Sequence, residues 1–253
     1  MPILAFHNCS SNILNGINNY SPNRFEQLLD IIKSENYKFI GLSDYIDAGQ
    51  KDNHVALTFD DGYESFYHYV YPILKKHSIP ATVFMPIDFI GKTNSWDYSG
   101  SVFPSRHLKR EQIIELSKYN ITIASHGMAH RCLTQLSERF LKIELARSKD
   151  ILEEIIGRKI SFISYPFGRF NKKVESIAAE VGYRNGLSLS LIGGREEGNF
   201  TLTREAVYAF DTPYSILNKL DKSILNKIET IKGSIMNAYA GGTIFLNNLR
   251  GNK

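Results

Sequence analysis

Side chains that can do acid–base or metal chemistry stand directly after several apolar runs of this sequence. Asp60 and Asp61 follow VALTF, and a glycine follows them. His126 and His130 lie in SHGMAH after ITIAS, and His7 follows ILAF. In parallel α/β folds the functional groups collect at the carboxyl ends of the strands. The sequence therefore predicts that these two acids and three imidazoles meet at one end of a sheet.

Two histidines four residues apart, with a carboxylate from elsewhere, suit a divalent transition metal. Neutral imidazoles and a carboxylate bind zinc and leave a position open for water. The same set also binds Fe(II), so the ligands do not fix the metal. Zinc is the first expectation, with iron, cobalt, nickel and manganese as alternatives. Each motif alone is weak, because HxxxH occurs in ordinary loops and Asp-Asp-Gly in solvated turns. Their shared position after strands favours a site.

The two acids of the pair need a reason to stand together, since like charges repel and are costly to desolvate. Neighbouring residues at a strand end point in different directions, so Asp60 and Asp61 need not do the same job. One can bind the metal, while the other sits beside the reacting water and takes its proton. A nearby cation offsets the repulsion, because it favours both ionised forms.

The rest of the chain alternates short apolar runs with amphipathic segments. LSERFLKIELARSKDILEEIIG predicts a helix that Ser137 caps and Gly157 ends. ESFYHYVYPILKKH predicts another helix, with a kink at Pro72. Strands that alternate with helices over a whole chain predict parallel strands with crossover helices. About seven such units predict a barrel-like α/β fold.

Length and composition indicate one domain over residues 1–253, with 43% hydrophobic and 22% charged residues, as in ordinary globular proteins. The net charge of +4, without a dense Lys/Arg stripe, argues against a nucleic-acid partner. Cys9 and Cys132 are expected to be free thiols. The N-terminus lacks the basic and long apolar regions of a signal peptide, and no transmembrane run is visible, so a cytoplasmic protein is expected.

The motifs TFDDG, SHGMAH and YPFG, in that order and each after a strand, resemble the polysaccharide deacetylases of carbohydrate esterase family 4, the NodB-homology group. The resemblance covers nearly the whole chain. It implies a distorted (β/α) barrel that removes N-acetyl groups from amino sugars with a bound divalent metal. It also implies that Asp60 is the general base and that the backbone N–H of Phe167 stabilises the oxyanion. The implied metal ligands are Asp61, His126 and His130.

The sequence departs from that family at two positions. Family members usually carry an arginine before the proline of the third motif, where it pairs with the catalytic base, but here that position is Tyr165. Arg204, in TLTREAVY, or Arg169 is a candidate for the missing charge. Many members also carry a histidine near the C-terminus as the general acid, and TIFLNNLRGNK has none.

The N-terminal strand offers a replacement for that histidine. ILAFHN has the L-x-x-H pattern. A branch of the family that resembles the biofilm poly-N-acetylglucosamine deacetylases has this strand at the start of the chain. By that resemblance His7 is the general acid, and Leu4 or Phe6 lines the acetyl pocket. Tyr165 is also expected at the substrate.

Two further segments carry candidate binding residues. Trp96 and Tyr98, in a long predicted loop over 86–108, are candidates to stack on a sugar ring, with a half-buried loop anchor as the alternative. Residues 213–240 predict a long amphipathic helix with several lysines outside its apolar stripe. Such a helix ordinarily packs on the barrel. The alternative is peripheral contact with an anionic membrane surface or with another subunit.

The expected function is metal-dependent removal of an N-acetyl group from an amino sugar in a polysaccharide, an oligosaccharide or a glycan precursor. Two alternatives remain open. One is a non-catalytic sugar-binding or scaffold protein on the same fold, which the Tyr165 departure and the absent C-terminal histidine favour. The other is deformylation or other amide hydrolysis of a small sugar-like molecule at the same site. The sequence chooses neither the sugar nor the oligomeric state.

Overall fold

The computed structural model describes residues 2–11, 16–48, 53–95, 105–190 and 200–220. Several predicted features lie outside the described residues. They are Trp96, Tyr98, the strand predicted in TIFLN, and all but the first residues of the helix predicted near 213–240. Of the helices that are described, none is long and apolar enough to cross a bilayer. Cys9 and Cys132 are buried free thiols, as expected.

Strands and helices alternate along the chain, as predicted. The strands are β1 (Ile3–Phe6), β2 (Lys38–Phe39), β3 (His54–Phe59), β4 (Ala81–Met85), β5 (Ile121–Ser125), β6 (Phe162–Ser164), β7 (Asn185–Leu189) and β8 (Thr201–Ala206). The α-helices are α1 (Pro22–Ser34), α2 (Leu42–Asp47), α3 (Tyr71–Lys76), α4 (Arg110–Ser117), α5 (Glu138–Ile156), α6 (Lys172–Val181) and α7 (Pro213–Leu220).

Seven parallel strands close into a barrel. Their order is β1-β8-β7-β6-β5-β4-β3, and β1 pairs with β3 to complete the ring. The two-residue strand β2 pairs only with the start of β3 and lies outside the ring. The predicted barrel of about seven strands is therefore confirmed. All carboxyl ends of the ring lie at one rim, because the strands are parallel, and the predicted polar motifs follow them there.

One apolar layer of the barrel interior contains one side chain from each strand of the ring. These are Ile3, Ala56, Phe84, Ala124, Phe162, Leu187 and Leu202. Leu42 and Tyr45 of α2 pack against this layer. A second, larger cluster lies between the strands and the outer helices. The alternation of side chains along each strand separates the two cores, so that a residue's position in its strand decides which core it enters.

Two predicted features of the helices can be compared with the local structure. The helix α5 begins after Ser137, which stands at the predicted cap position although its side chain makes no capping hydrogen bond. The helix ends at Gly157, which has a left-handed φ of 68°. Where the sequence predicts a kink at Pro72, a π-helical stretch over Phe66–Val70 passes into α3, with Pro72 in the first turn of α3.

Candidate active site

The two acids lie where β3 leaves the barrel. The amide of Asp60 still donates to the carbonyl of Phe6 at 2.8 Å, which continues the β1–β3 ladder by one bond. Asp61 and Gly62 then adopt φ of 66° and 56°, so the chain turns sharply and the two carboxylates reach different partners. Glycine suits the position after the acids, because φ is positive there and a Cβ on Gly62 would lie 2.1 Å from the sulfur of Met85, which would have to move.

The SHGMAH motif follows β5 in a loop that a buried carboxylate holds in place. Glu144 of α5 accepts hydrogen bonds from the backbone N–H groups of Met128 and Ala129, each at 2.9 Å. The loop bends back at His130, whose φ is 52°. As a result the rings of His126 and His130 meet edge to face, with their centroids 4.8 Å apart.

Asp61, His126 and His130 form a buried cluster that fits a metal ion. Oδ1 of Asp61 lies 3.4 Å from Nε2 of His126 and 3.3 Å from Nε2 of His130. That buried oxygen has no hydrogen-bond partner among the described residues. A four-coordinate zinc ion holds neighbouring ligand atoms about 3.3–3.6 Å apart, given its ligand distances of about 2.0–2.2 Å. The cluster could therefore hold such a cation.

A hydrogen bond from the other ring nitrogen of His126 sets the tautomer that metal binding requires. Nδ1 of His126 lies 2.8 Å from the carbonyl oxygen of Ser164, which can only accept, so this nitrogen carries the proton. In the neutral ring, Nε2 then presents its lone pair toward Asp61. Ligand histidines in metal sites are typically oriented by such a second hydrogen bond.

Asp60 makes a bidentate ion pair with Arg204, which comes from β8, and only β1 separates β8 from β3 in the ring. Nη1 of Arg204 lies 2.8 Å from Oδ1, and Nη2 lies 2.7 Å from Oδ2. Arg204 also donates to the hydroxyls of Thr58, at 3.1 Å, and Ser164, at 2.7 Å. The Ser164 hydroxyl in turn donates to Asp60 at 3.0 Å. Arg204, only 1% exposed, thus supplies the charge that Tyr165 does not.

The charge on Asp60 is stabilised despite its burial. Burial alone would raise the pKa of this carboxyl, but the Arg204 charge, followed by that of His126, outweighs burial and lowers the pKa to about 2. Burial likewise opposes ionisation of Asp61, and hydrogen bonds from the protonated rings of His126 and His130, the forms present without a metal, hold its pKa well below the usual range. Both acids are therefore ionised at neutral pH.

His7 faces the same space from the end of β1. Ile3 belongs to the interior layer and Ala5 packs with Leu189 and Ala206 inside the rim, so His7 continues the inward-facing side of the strand. Its buried Nδ1 has no hydrogen-bond partner in the described part of the chain. A positive charge on its ring would lower the pKa of both Asp60 and Asp61.

Phe167 lies beside the cluster, in the short turn after β6. Its φ of 59° is unusual for a residue with a large side chain. Its ring packs edge-on against His130, with the centroids 4.7 Å apart. The structure thus brings the third motif to the other two.

Two of the predicted pocket residues lie elsewhere. Leu4 and Phe6 are completely buried in the cluster between the strands and the outer helices. Phe6 contacts Phe25 of α1 edge-on, with a centroid distance of 5.4 Å. The prediction that they line an acetyl pocket is therefore not supported. The reason is strand alternation, because they share the face opposite to that of His7.

Tyr165 is also turned away from the site. It is completely buried, stacks on Phe170 at 5.4 Å, and places its hydroxyl 3.3 Å from the Thr201 hydroxyl. Its neighbour Ser164 points inward instead. A substrate contact from Tyr165 is therefore not supported either. Arg169, the other candidate for the missing charge, is half-buried at the end of the turn, and Arg204 occupies the position beside Asp60.

Sequence reasoning missed three residues that hold the site together: Thr58, Glu144 and Ser164. Thr58 and Ser164 carried a weak signal, because each is a polar residue at an inward-facing position near the end of a buried strand. Glu144 also carried a weak sequence signal, because it lies between Leu141 and Leu145, beside the apolar stripe of α5. In the structure it is buried.

Comparisons with known proteins agree with this geometry. The profile of the family described as polysaccharide deacetylase matches residues 47–186. The Bacillus subtilis (strain 168) protein YxkH, a polysaccharide deacetylase by name, is 31% identical over 214 residues, which cover 82% of this chain and 71% of that protein.

A second relative and a solved structure extend the comparison. The poly-beta-1,6-N-acetyl-D-glucosamine N-deacetylase of Staphylococcus aureus (strain MRSA252) is 27% identical over 68% of this chain, and the match spans 62% of that enzyme's length. The structure of the Streptococcus pyogenes deacetylase PplD in complex with acetate superposes with a TM-score of 0.75 at 27% identity, covering 87% of this chain and 97% of that chain. The chain belongs to the polysaccharide deacetylase family.

Proposed function

We propose that this protein hydrolyses the N-acetyl group of an amino sugar with the help of a divalent metal. One observation carries the proposal: a carboxylate clamped by a buried arginine lies next to a buried Asp/His/His cluster. A binding protein has no need for a second ionised carboxylate beside a metal site, whereas an amide hydrolase needs a base there. The matched Staphylococcus aureus relative, by its name, acts on poly-beta-1,6-N-acetyl-D-glucosamine. That likeness suggests an N-acetylglucosamine glycan as substrate.

Asp61, His126 and His130 are the proposed metal ligands, and zinc is the proposed metal because imidazole and carboxylate ligands at these separations suit it. When bound, the metal supplies a Lewis acid that polarises the acetyl carbonyl and lowers the pKa of water. The remaining work falls to side chains of the chain itself.

Asp60 is proposed to take the proton from the attacking water. Its ion pair with Arg204 fixes the carboxylate and keeps it ionised, while Ser164 fixes its rotation. The backbone N–H of Phe167 is proposed to donate to the carbonyl oxygen as negative charge develops on it. His7 is proposed to protonate the departing nitrogen, because an amide anion is a very poor leaving group. The products are acetate and a free amino sugar.

Two variants separate the base from the metal ligands. Asp60→Asn keeps the shape of the side chain but cannot accept the proton, so it should retain bound metal and lose at least about a hundredfold in kcat, as expected for loss of a general base. His126→Ala should lose both metal and activity. Metal content is measured by elemental analysis, and amine release is measured on N-acetylglucosamine oligomers with and without a chelator.

The exposed carboxylate Asp47 provides the matched control, since Asp47→Asn makes the same chemical change far from the rim and should leave both readouts unchanged. Near-full activity of Asp60→Asn would show that Asp60 is not the base. Metal binding without any amine release by the wild-type protein would favour the sugar-binding alternative, and release of formate or of another acid would favour the amidase alternative.

Three wider statements remain proposals. Residues 1–253 are proposed to be one deacetylase domain. A cytoplasmic location is proposed from the sequence, and so is peripheral membrane contact through the helix predicted near 213–240. Flotation with anionic vesicles tests the membrane contact, and absence of binding would remove it.

A further inference from the structure

The segment that follows β8, residues 207–212, belongs to the same rim as the candidate site. Parallel pairing sets Ala206 of β8 beside Ala5 of β1, and the amide of Val207 donates to the Ala5 carbonyl at 2.9 Å. The side chain of Tyr208 packs against Ala5 in a small cluster inside the rim. Since His7 lies two residues beyond Ala5, this segment runs beside the proposed general acid.

Buried charges hold this segment in one conformation. Nζ of Lys219, from α7, donates to the Ala206 carbonyl at 2.8 Å and pairs with Oδ2 of Asp211 at 2.8 Å. The same carboxylate oxygen accepts the backbone N–H of Tyr208 at 3.0 Å. Phe210 therefore sits between two anchored residues, on a backbone whose position is fixed before any ligand arrives.

Phe210 presents an aromatic ring to solvent from that fixed backbone. Its side chain is 49% exposed, whereas Tyr208, on which it stacks at 5.4 Å and 23°, is 3% exposed. A large apolar side chain half in water, supported from below by a buried ring, is a preformed stacking surface. One such ring is far too small for a protein interface, which buries about 800 Å² on each partner. Its size suits a single sugar ring.

We propose that Phe210 is a stacking subsite for the sugar residue next to the one that loses its acetyl group. The substrate is then a chain of at least two sugars that crosses the rim from the metal cluster, past His7, to the segment after β8. This inference rests on the proposed function and narrows it, because it makes a second sugar ring, next to the reacting one, part of what the protein recognises.

The test compares substrates by chain length. The probes are N-acetylglucosamine monomers and β-1,4- and β-1,6-linked oligomers of up to six sugars, with amine release as the readout. In Phe210→Ala, kcat/KM for the oligomers should fall roughly three- to tenfold, the size of one aromatic stacking contact. The loss should appear mainly in KM, and the monomer should be unaffected. Phe210→Trp should restore the preference for oligomers, which a merely structural role would not do.

Tyr119→Ala is the matched control, because Tyr119 is also an exposed aromatic residue, at 50%, but precedes β5 at the opposite end of the barrel. Its length profile should match that of the wild-type protein. An unchanged profile for Phe210→Ala would overturn the subsite, and so would a change of its elution volume in size-exclusion chromatography, since a second copy would then cover the ring.

A failure of the proposed function gives a different result. If the wild-type protein releases no amine from any probe, the hexamers are titrated into the wild-type and Phe210→Ala proteins by calorimetry. Weaker binding to Phe210→Ala would support the subsite on a non-catalytic sugar-binding protein. Equal affinities, or no binding to either protein, would overturn it.

Discussion

Asp60 depends on a residue that is 144 positions away in the sequence. Its carboxylate is almost completely buried, and such a group stays ionised only when a partner compensates its lost hydration. Arg204 does so with two hydrogen bonds. The hydroxyls of Thr58 and Ser164 accept further hydrogen bonds from the guanidinium. In the family pattern that Tyr165 breaks, the arginine comes from the third motif. Here the same charge enters from a different strand and reaches the same carboxylate.

Removal of the Arg204 charge should therefore be costly to stability. Arg204→Met keeps much of the side-chain volume but leaves Asp60 as an unpaired buried charge. The free energy of unfolding should fall by about 3–5 kcal/mol, the usual cost of breaking a buried pair. Denaturation in urea measures the change.

A double-mutant cycle separates the cost of an unpaired buried charge from the cost of lost packing around Arg204. Asp60→Asn combined with Arg204→Met should recover part of the loss, because no charge is then left without a partner. Arg184→Met breaks the exposed pair with Asp47 and should cost no more than about 1 kcal/mol. Equal losses for Arg204→Met and Arg184→Met would show that the buried pair is not a stability determinant.

Individual residues were predictable from sequence to different degrees. Asp60, Asp61, His126 and His130 were chosen because each motif follows an apolar run, and the structure does bring them together. Leu4 and Phe6 were misplaced, although strand alternation alone puts them on the face opposite to His7. The choice between Arg204 and Arg169 was beyond the sequence, because it depends on how strands close in three dimensions.

At the scale of elements, α5 both covers the barrel and shapes the SHGMAH loop. Its ends were predictable from Ser137 and Gly157. The role of its inward-facing carboxylate was not, because periodicity places Glu144 beside the apolar stripe but does not show which groups it contacts. Glu144 satisfies the amides of Met128 and Ala129, between His126 and His130. Burial raises the pKa of Glu144, since these two N–H groups and the Arg131 charge only partly compensate the lost hydration.

The hydrogen-bonding role of Glu144 can be separated from its charge. Glu144→Ala leaves two buried N–H groups without an acceptor and should cost about 1–3 kcal/mol per unsatisfied group. It should also weaken metal binding, because the loop no longer holds His130. Glu144→Gln keeps an acceptor oxygen and should preserve metal binding. Calorimetric metal titration and urea denaturation measure the two effects.

The pH dependence of stability in Glu144→Gln and in the wild-type protein independently checks the raised pKa of Glu144. A carboxyl whose folded-state pKa is raised binds its proton more tightly in the folded than in the unfolded state, so its ionisation costs stability as pH rises. Glu144→Gln lacks this cost. Its stability relative to the wild-type protein should therefore be highest at neutral pH and should decline as pH falls through the range in which Glu144 takes up its proton. A relative stability that rises on acidification would contradict the raised pKa.

At the scale of the whole molecule, the metal cluster joins parts of the barrel that are not neighbours. Asp61 follows β3, whereas His126 and His130 follow β5, and β4 lies between these strands. The unfolded chain cannot hold these three proposed ligands together. A metal that binds the folded state alone should therefore stabilise the whole barrel, by about 2.7 kcal/mol at a free concentration of one hundred times Kd.

Chelation should consequently lower the melting temperature of the wild-type protein. For a chain of this size, that stabilisation corresponds to about 5–10 °C. Asp60→Asn should keep the shift, because it preserves the ligands, while His126→Ala should melt at the same temperature with and without chelator. A wild-type melting temperature that does not respond to chelator or to added zinc would show that the buried Asp61, His126 and His130 pack against one another without a structural ion. That result would contradict the proposed metal-dependent mechanism, because no Lewis acid would then be present at the site.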